Sequence, residues 1–287
     1  MKLNETTKQN LRRKSGYIDT VQLHQDKPLF SWIDINITEL CNRKCEFCPR
    51  IDDSLYPNQN LHMSIELAAK IGRELLDLDY KGVVVFSGYS EPMMCPYFKE
   101  IIAVFPDPIR LELVTNGDFL KVRNIQELYA AGLDYFVVSM YDGPHQVEHF
   151  KTLFTEAGLG EDSYILRDRW HTEEDSFGLK LTNRAGVINN GDQPEVIPHH
   201  PCHYTSYSMT IDWNGDVMLC MQDWNKKMKF GNVSQQTLTE AWFSKGLDKY
   251  RSKLLNGKRT CSPCNKCNTD GTLHGYNHSI IWKELLK

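Results

Sequence analysis

Cys41, Cys45 and Cys48 are spaced CxxxCxxC in the segment CNRKCEFCPR, directly after the strand-like run 32–37. Thiolates are soft ligands suited to iron–sulfur clusters, and a four-iron cluster takes four of them when closed. Three cysteines at this spacing leave one iron open to another ligand, which is where chemistry can begin. The competing chemistry is a structural zinc knuckle, which uses a CxxC pair with a second pair elsewhere. A second group, Cys202, Cys220, Cys261, Cys264 and Cys267, lies late in the chain, with Cys95 alone between the two sets. Cys95 reads as a small buried residue.

The elements around these cysteines have to position them. From Trp32 to about Thr182 short β-branched or aromatic runs alternate with helical stretches, the pattern of parallel βα units. Expected strands are 33–38, 82–87, 110–115, 135–139, 163–166 and 179–182. Expected helices are 64–78 with Ser64 as N-cap, 97–105, 122–131 with Gly132 as a C-cap, and 146–156. Too little sequence separates Ser139 from Thr182 for full helices, so the fold class is α/β, a partial (β/α)6 TIM-like barrel. In such barrels the active site forms at the C-terminal strand ends. The cysteine loop, Gly88-Tyr89-Ser90-Glu91-Pro92, Thr115-Asn116-Gly117-Asp118 and Ser139-Met140-Tyr141-Asp142 follow four successive expected strands.

The segment 189–201, rich in Asn, Pro, Gly and His, breaks periodicity and reads as a linker; His199 and His200 read as surface residues within it. After it come a hairpin at 208–219 turning at Asn214-Gly215, a helix from about 238 to 255, and the knuckle CSPCNKC. The expected division is an N-terminal extension 1–30, a barrel 31–190 and a small α+β cluster domain 191–287.

CxxxCxxC with an aromatic, Phe47, before the last cysteine resembles the signature of the radical S-adenosylmethionine (SAM) enzymes. The resemblance implies a [4Fe–4S] cluster on Cys41, Cys45 and Cys48, with SAM chelating the open iron and yielding a 5′-deoxyadenosyl radical that abstracts hydrogen from substrate. It implies that Glu91 accepts hydrogen bonds from the SAM amino group, that Gly88, Tyr89 and Ser90 add contacts, that Asn116 and Ser139 reach the ribose or carboxylate, and that Phe47 packs near adenine. The late cysteines, with Ile211–Val217 as hairpin, Phe230-Gly231-Asn232-Val233 and Ala241-Trp242, resemble the auxiliary-cluster domains called SPASM or twitch. One further [4Fe–4S] cluster fits five cysteines better than two do, with zinc as the alternative. Cys202, Cys220, Cys264 and Cys267 are its expected ligands; the pair Cys261 and Cys264 has the same spacing and stays open.

The chain is further similar to the aminocyclitol dehydrogenases of this family. Asn183-Arg184-Ala185-Gly186, Thr115–Leu120, Asp223–Met228 and Cys264–Cys267 carry the likeness. It implies oxidation of a ring alcohol of a sugar-like or aminocyclitol small molecule to a ketone, with the auxiliary cluster accepting an electron. Arg184, always charged, is suited to stabilising an alkoxide. Two departures leave other readings open. Ser139–Gly143 differs from that group, so the substrate does not carry over, and Cys261 has no counterpart there. A thiol beside the site suits a redox-neutral epimerase or dehydratase as hydrogen donor. A ribosomal-peptide modifying enzyme would carry a leader-binding domain, for which the residues before Trp32 are too few.

Composition adds constraints. Net charge is −4 over 287 residues, with no dense basic cluster, so nucleic acid is not an expected partner. No run is long and apolar enough for a membrane span, and the N-terminus lacks the apolar region of a secretory signal. The expected location is the cytoplasm, where nine cysteines point to metal or catalysis rather than disulfides. The expected reducing partner is a flavodoxin or ferredoxin.

Overall fold

The structure, a computed structural model, describes residues 5–169, 182–188 and 199–287. It opens with helix α1 (Glu5–Ile18) and a short ribbon, β1 (Leu23–His24) and β2 (Lys27–Pro28). Then β3 (Trp32–Ile35) begins the main sheet, and β4 (Thr38–Glu39) pairs with β5 (Gln59–His62) in a separate ribbon. Next come α2 (Ile65–Asp77), β6 (Val83–Phe86), α3 (Phe98–Ala103), β7 (Arg110–Thr115), α4 (Val122–Ala130), β8 (Tyr135–Met140), α5 (Gln146–Glu156) and β9 (Tyr164–Asp168). After a short α6 (Tyr204–Tyr207) follow β10 (Ser208–Ile211), β11 (Asp216–Met218), β12 (Lys229–Asn232), α7 (Leu238–Trp242), α8 (Lys245–Leu255) and α9 (Tyr276–Leu285).

Eight strands form one mixed sheet in the order β12-β11-β10-β3-β6-β7-β8-β9. The five barrel strands from β3 to β9 are parallel neighbours, as the βα alternation predicts. β6 and β8 are buried throughout, which suits a parallel sheet covered on both faces. On the outer face Ile33, Ile35, Val84, Phe86, Leu113 and Phe136 pack against Ile71, Leu75, Ile102, Leu128 and Phe154 of the helices. Ser64 caps α2 as expected, its Oγ accepting from the Leu67 amide at 3.2 Å.

Several expectations are corrected. The first strand ends at Ile35 rather than Thr38, because Thr38 and Glu39 leave the sheet to pair with β5, so a ribbon brackets the cysteine loop. The fifth strand runs on to Asp168, paired with Met140. The proposed sixth strand lies outside the described residues except Thr182, which is not in a strand. The barrel sheet is instead continued by β10, parallel to β3 with Ser208 opposite Trp32 and Ile211 opposite Ile35. The single helix expected over 238–255 is two, because Ser244 caps a new start, its Oγ accepting from the Leu247 amide. The hairpin turns at Asn214-Gly215 as read, with Gly215 at φ +88°.

The first thirty residues include a helix that closes the barrel interior from below. Ile18 of α1 packs with Trp32, Val83, Val85 and Tyr207. Arg13 ion-pairs with the fully buried Glu112, and its guanidinium lies 5.5 Å from the ring centres of both Trp32 and Tyr135. At the other end of the chain, His278 of α9 shares a 2.8 Å hydrogen bond with Ser31, and Trp282 donates to the Ser206 carbonyl at 3.2 Å.

Candidate active site

The cysteine loop is fixed at both ends and at its middle. Asn58 accepts from the Cys41 amide and donates to the Cys41 carbonyl. Arg50, 3% exposed, donates to Asn58, to the Tyr89 carbonyl and, at 3.5 Å, to Glu39. Arg43 spans two strand ends, pairing with Asp118 at 2.5–2.6 Å and with Asp142 at 2.6–2.7 Å. Asn42 donates to Asp118 and accepts from Asn116. Cys41, Cys45 and Cys48 thereby line one cavity of about 320 Å³.

The same cavity takes in every residue expected to contact SAM: Phe47, Gly88, Tyr89, Ser90, Glu91, Asn116 and Ser139. Asn36 organises the turn after β6. Its side-chain oxygen accepts from the Tyr89 amide at 3.2 Å and from Ser90 Oγ at 2.7 Å, and its amide donates to Glu39 and Asp212. Gly88 must be glycine there: it sits at φ +126°, and a Cβ would come 2.9 Å from that of Asn36. Glu91, 2% exposed, accepts from Thr115 Oγ1, the Asn116 amide and the Met93 amide at 2.7–3.1 Å. Burial pushes its carboxyl up to about 7 despite these donors. A buried carboxylate of this kind favours a ligand amino group that donates to it.

Burial also raises the three loop thiols, Cys45 to about 12 with Cys48 and Cys41 adding to the effect. Thiols massed in one cavity are released from that cost when metal takes them as thiolates, so the donor set fits a cluster.

Arg184 lines this cavity, its Nε 3.4 Å from the Phe47 carbonyl. It is held from the other side by the cysteine knuckle. Asn183 accepts from the Gly186 amide, donates from its backbone to Asn268 at 2.8 Å and from its side chain to the Lys266 carbonyl at 2.7 Å. Arg184 and Ala185 both adopt left-handed conformations, at φ +48° and +52°, which non-glycine residues rarely do in succession.

Cys202, Cys220, Cys264 and Cys267 line a second cavity together with Tyr204, Leu254 and Arg259. Burial raises Cys202 to about 11, Cys264 to about 12 and Cys220 well above the ordinary thiol value. Gly271, at φ +76°, leaves the space: a Cβ there would come 2.6 Å from Cys202 Sγ. Among the described residues, no three His, Cys, Asp or Glu side chains are gathered tightly enough for a single metal ion. The four thiols gathered on this one cavity fit an iron–sulfur cluster, for which soft thiolates are suited ligands. Cys261 lines neither cavity. Its thiol accepts from Lys253 Nζ at 3.2 Å, and that contact lowers its pKa. Cys95 is buried in the core.

Among the cavity residues given no site role from sequence are Tyr141, Trp224, Arg167 and Arg169. Tyr141 stacks on Phe47 with ring centres 5.8 Å apart, and Trp224 meets Tyr89 edge-on at 5.0 Å. Arg167 and Arg169 stand at the end of β9. Their two-residue spacing at a strand end was the available signal, hidden by ending that strand at Leu166.

Residues 35–149 match the family described as the Radical SAM superfamily, and residues 202–268 match SPASM, an iron–sulfur cluster-binding domain. The chain carries a Radical SAM domain and a SPASM domain; its cofactors are [4Fe–4S] clusters and SAM. It is 28% identical over 245 residues to the S-adenosyl-L-methionine-dependent 2-deoxy-scyllo-inosamine dehydrogenase of Niallia circulans, covering 84% of this chain and 93% of that one. The crystal structure of BtrN in complex with AdoMet and 2-DOIA superposes with a TM-score of 0.71 at 25% identity, over 88% of this chain and 98% of that one. Native anSMEcpe with bound AdoMet shares the fold, with a TM-score of 0.53 at 14% identity over 89% and 95% of the two chains. No helix among the described residues is long and apolar enough to cross a membrane.

Proposed function

We propose that this chain oxidises a ring alcohol of a sugar-like or aminocyclitol small molecule to a ketone. The observation that carries the reading is Arg184, lining the SAM cavity while anchored to the Cys264–Cys267 knuckle. The likeness to an alcohol-oxidising relative over nearly its full length supports it. When bound, SAM and the barrel cluster supply a carbon-centred radical that takes hydrogen from the substrate, and the second cluster supplies an electron sink.

The chain's own residues do the rest. Glu91 and the turn held by Asn36 fix the SAM amino group and methionyl end. Phe47 and Tyr141 offer a stacked aromatic wall for adenine, with Asn116 and Ser139 as polar contacts. Arg184 presents a fixed positive charge to the hydroxyl oxygen and eases loss of its proton as the carbon–hydrogen bond breaks. Cys202, Cys220, Cys264 and Cys267 hold the auxiliary cluster, a closed ligand set suited to electron transfer. A flavodoxin or ferredoxin would supply the reducing electron. Cys261 lies outside the cavity, and no observation favours it as a hydrogen donor.

The test is anaerobic turnover with SAM, reductant and a panel of aminocyclitols and sugars, scored by 5′-deoxyadenosine and product mass. A product two hydrogens lighter is expected, unchanged in Cys261→Ala. A product of unchanged mass carrying solvent deuterium would overturn the reading in favour of epimerisation.

A further inference from the structure

The second thiol cavity carries hydrogen-bond donors that its four cysteines do not use. Thr205 and Thr269 line it, 1% and 9% exposed, and each Oγ1 is buried with no hydrogen-bond partner among the described residues. A buried hydroxyl left unpaired is costly, so two of them around one set of thiols call for an acceptor inside that cavity. Both residues are held in place through their backbones. The Thr205 carbonyl accepts from Arg251 Nε at 2.7 Å, and the Thr269 carbonyl accepts from Arg259 Nη1 at 2.6 Å.

The wall of the same cavity also holds a buried positive charge. Arg259 is 3% exposed, and backbone carbonyls engage all five of its N–H groups. Nε donates to His200, Nη1 to Cys267 and Thr269, and Nη2 to Pro201 and Asp270, at 2.6–3.5 Å. No donor remains for a carboxylate. Arg259 Nη2 and Cys202 Sγ stand 3.2 and 2.6 Å from the point that a Gly271 Cβ would occupy. A fixed cation and two unpaired donors around four thiols fit an anionic occupant that accepts hydrogen bonds.

A four-iron cluster on four thiolates is such an occupant, and it gains a further negative charge on reduction. Hydrogen bonds to its sulfur atoms therefore stabilise the reduced form more than the oxidised one and raise the potential. We propose that Thr205 and Thr269 donate hydrogen bonds to sulfur of the auxiliary cluster and thereby raise its reduction potential. They are positioning residues that act through the cluster and do not touch substrate. In the oxidation proposed above, the substrate radical left by hydrogen abstraction becomes a ketone by losing the hydroxyl proton and one electron, and a raised potential suits the cluster to take that electron. The inference rests on the reading that Cys202, Cys220, Cys264 and Cys267 hold this cluster.

The test is a potentiometric titration of the iron-loaded, full-length protein followed by electron paramagnetic resonance, the auxiliary cluster being the one whose reduced signal does not change with SAM. In the double variant Thr205→Val, Thr269→Val iron should stay at about eight per chain. At a fixed applied potential the reduced-to-oxidised ratio of the auxiliary cluster should fall about tenfold, the scale of one net hydrogen bond to a charged group, which is ~59 mV for a one-electron couple. The barrel cluster's potential should not move. The double Ser variant, which keeps both hydroxyls, should hold the wild-type ratio within about twofold. Should the double Val variant fail to load its second cluster, Thr205→Val and Thr269→Val singly should each lower the ratio about threefold, as independent contacts do. An unmoved ratio in iron-replete Val variants, or equal falls in the Ser and Val variants, would overturn the proposal alone. Zinc at the C-terminal site of the wild type, with only about four irons per chain, would overturn the cluster reading beneath it.

Discussion

The Tyr89 hydroxyl donates to the backbone carbonyl of Cys220 at 3.2 Å, so the turn that lines the cavity of Cys41, Cys45 and Cys48 touches a cysteine of the C-terminal set directly. Tyr89 is fully buried, and its hydroxyl also reaches the Asp223 carbonyl at 3.4 Å. Around it Lys226, from the C-terminal half, binds Glu39 and Asp212, and Asn36 joins both carboxylates to the Tyr89-Ser90 turn. The two iron-binding regions are thus coupled through one buried polar network.

Tyr89→Phe removes that hydroxyl and little else. We expect a loss of about 1 kcal/mol, the net worth of a buried hydrogen bond, read as a melting midpoint lower by roughly 2–4 °C. Iron content and 5′-deoxyadenosine formation should persist, while oxidised product per 5′-deoxyadenosine falls. An unchanged ratio would separate this contact from electron transfer.

Gly271→Ala places a methyl against Cys202 Sγ at a backbone angle that disfavours it. Iron per chain should drop from about eight to about four, as expected for loss of one of two four-iron clusters. The barrel cluster's SAM-dependent spectroscopic change should remain. Full iron retention would remove Cys202 from the ligand set.

Arg184→Lys keeps the charge and loses the planar fork. Both clusters and uncoupled SAM cleavage should survive, with substrate turnover slowed at least ~100-fold, the scale of one lost transition-state contact. Near-normal turnover would leave Arg184 a purely structural bridge between barrel and knuckle.

Glu91 sets a pH dependence. Its folded pKa, raised by burial to about 7, lies above the ordinary 4.5, so its contribution favours folding below 4.5 and is lost as pH rises to 7. At about 1.4 kcal/mol per unit the loss is up to about 3 kcal/mol. Without SAM, the iron-loaded wild type should therefore lose stability relative to Glu91→Gln between pH 5 and pH 7.5, followed by thermal melting. Parallel pH profiles for the two proteins would show that Glu91 is ionised throughout.

The sequence by itself determined the chemistry: CxxxCxxC, the βα alternation from Trp32 and the late cysteine set are local patterns, and local spacing reaches into the fold wherever periodicity controls which face a residue occupies. It located the hairpin turn at Asn214-Gly215, because a chain that must turn with positive φ favours glycine there. Only the tertiary structure decided that β10 joins β3, that α1 fills the barrel from below, and that Arg167 and Arg169 share a cavity with Cys45. It also set Cys261 apart from the other four late thiols. Each of these depends on pairing or packing between segments far apart in the chain, such as Ser208 with Trp32 or Arg13 with Glu112. Such contacts are selected by how whole faces fit together, and no short stretch of sequence encodes that fit.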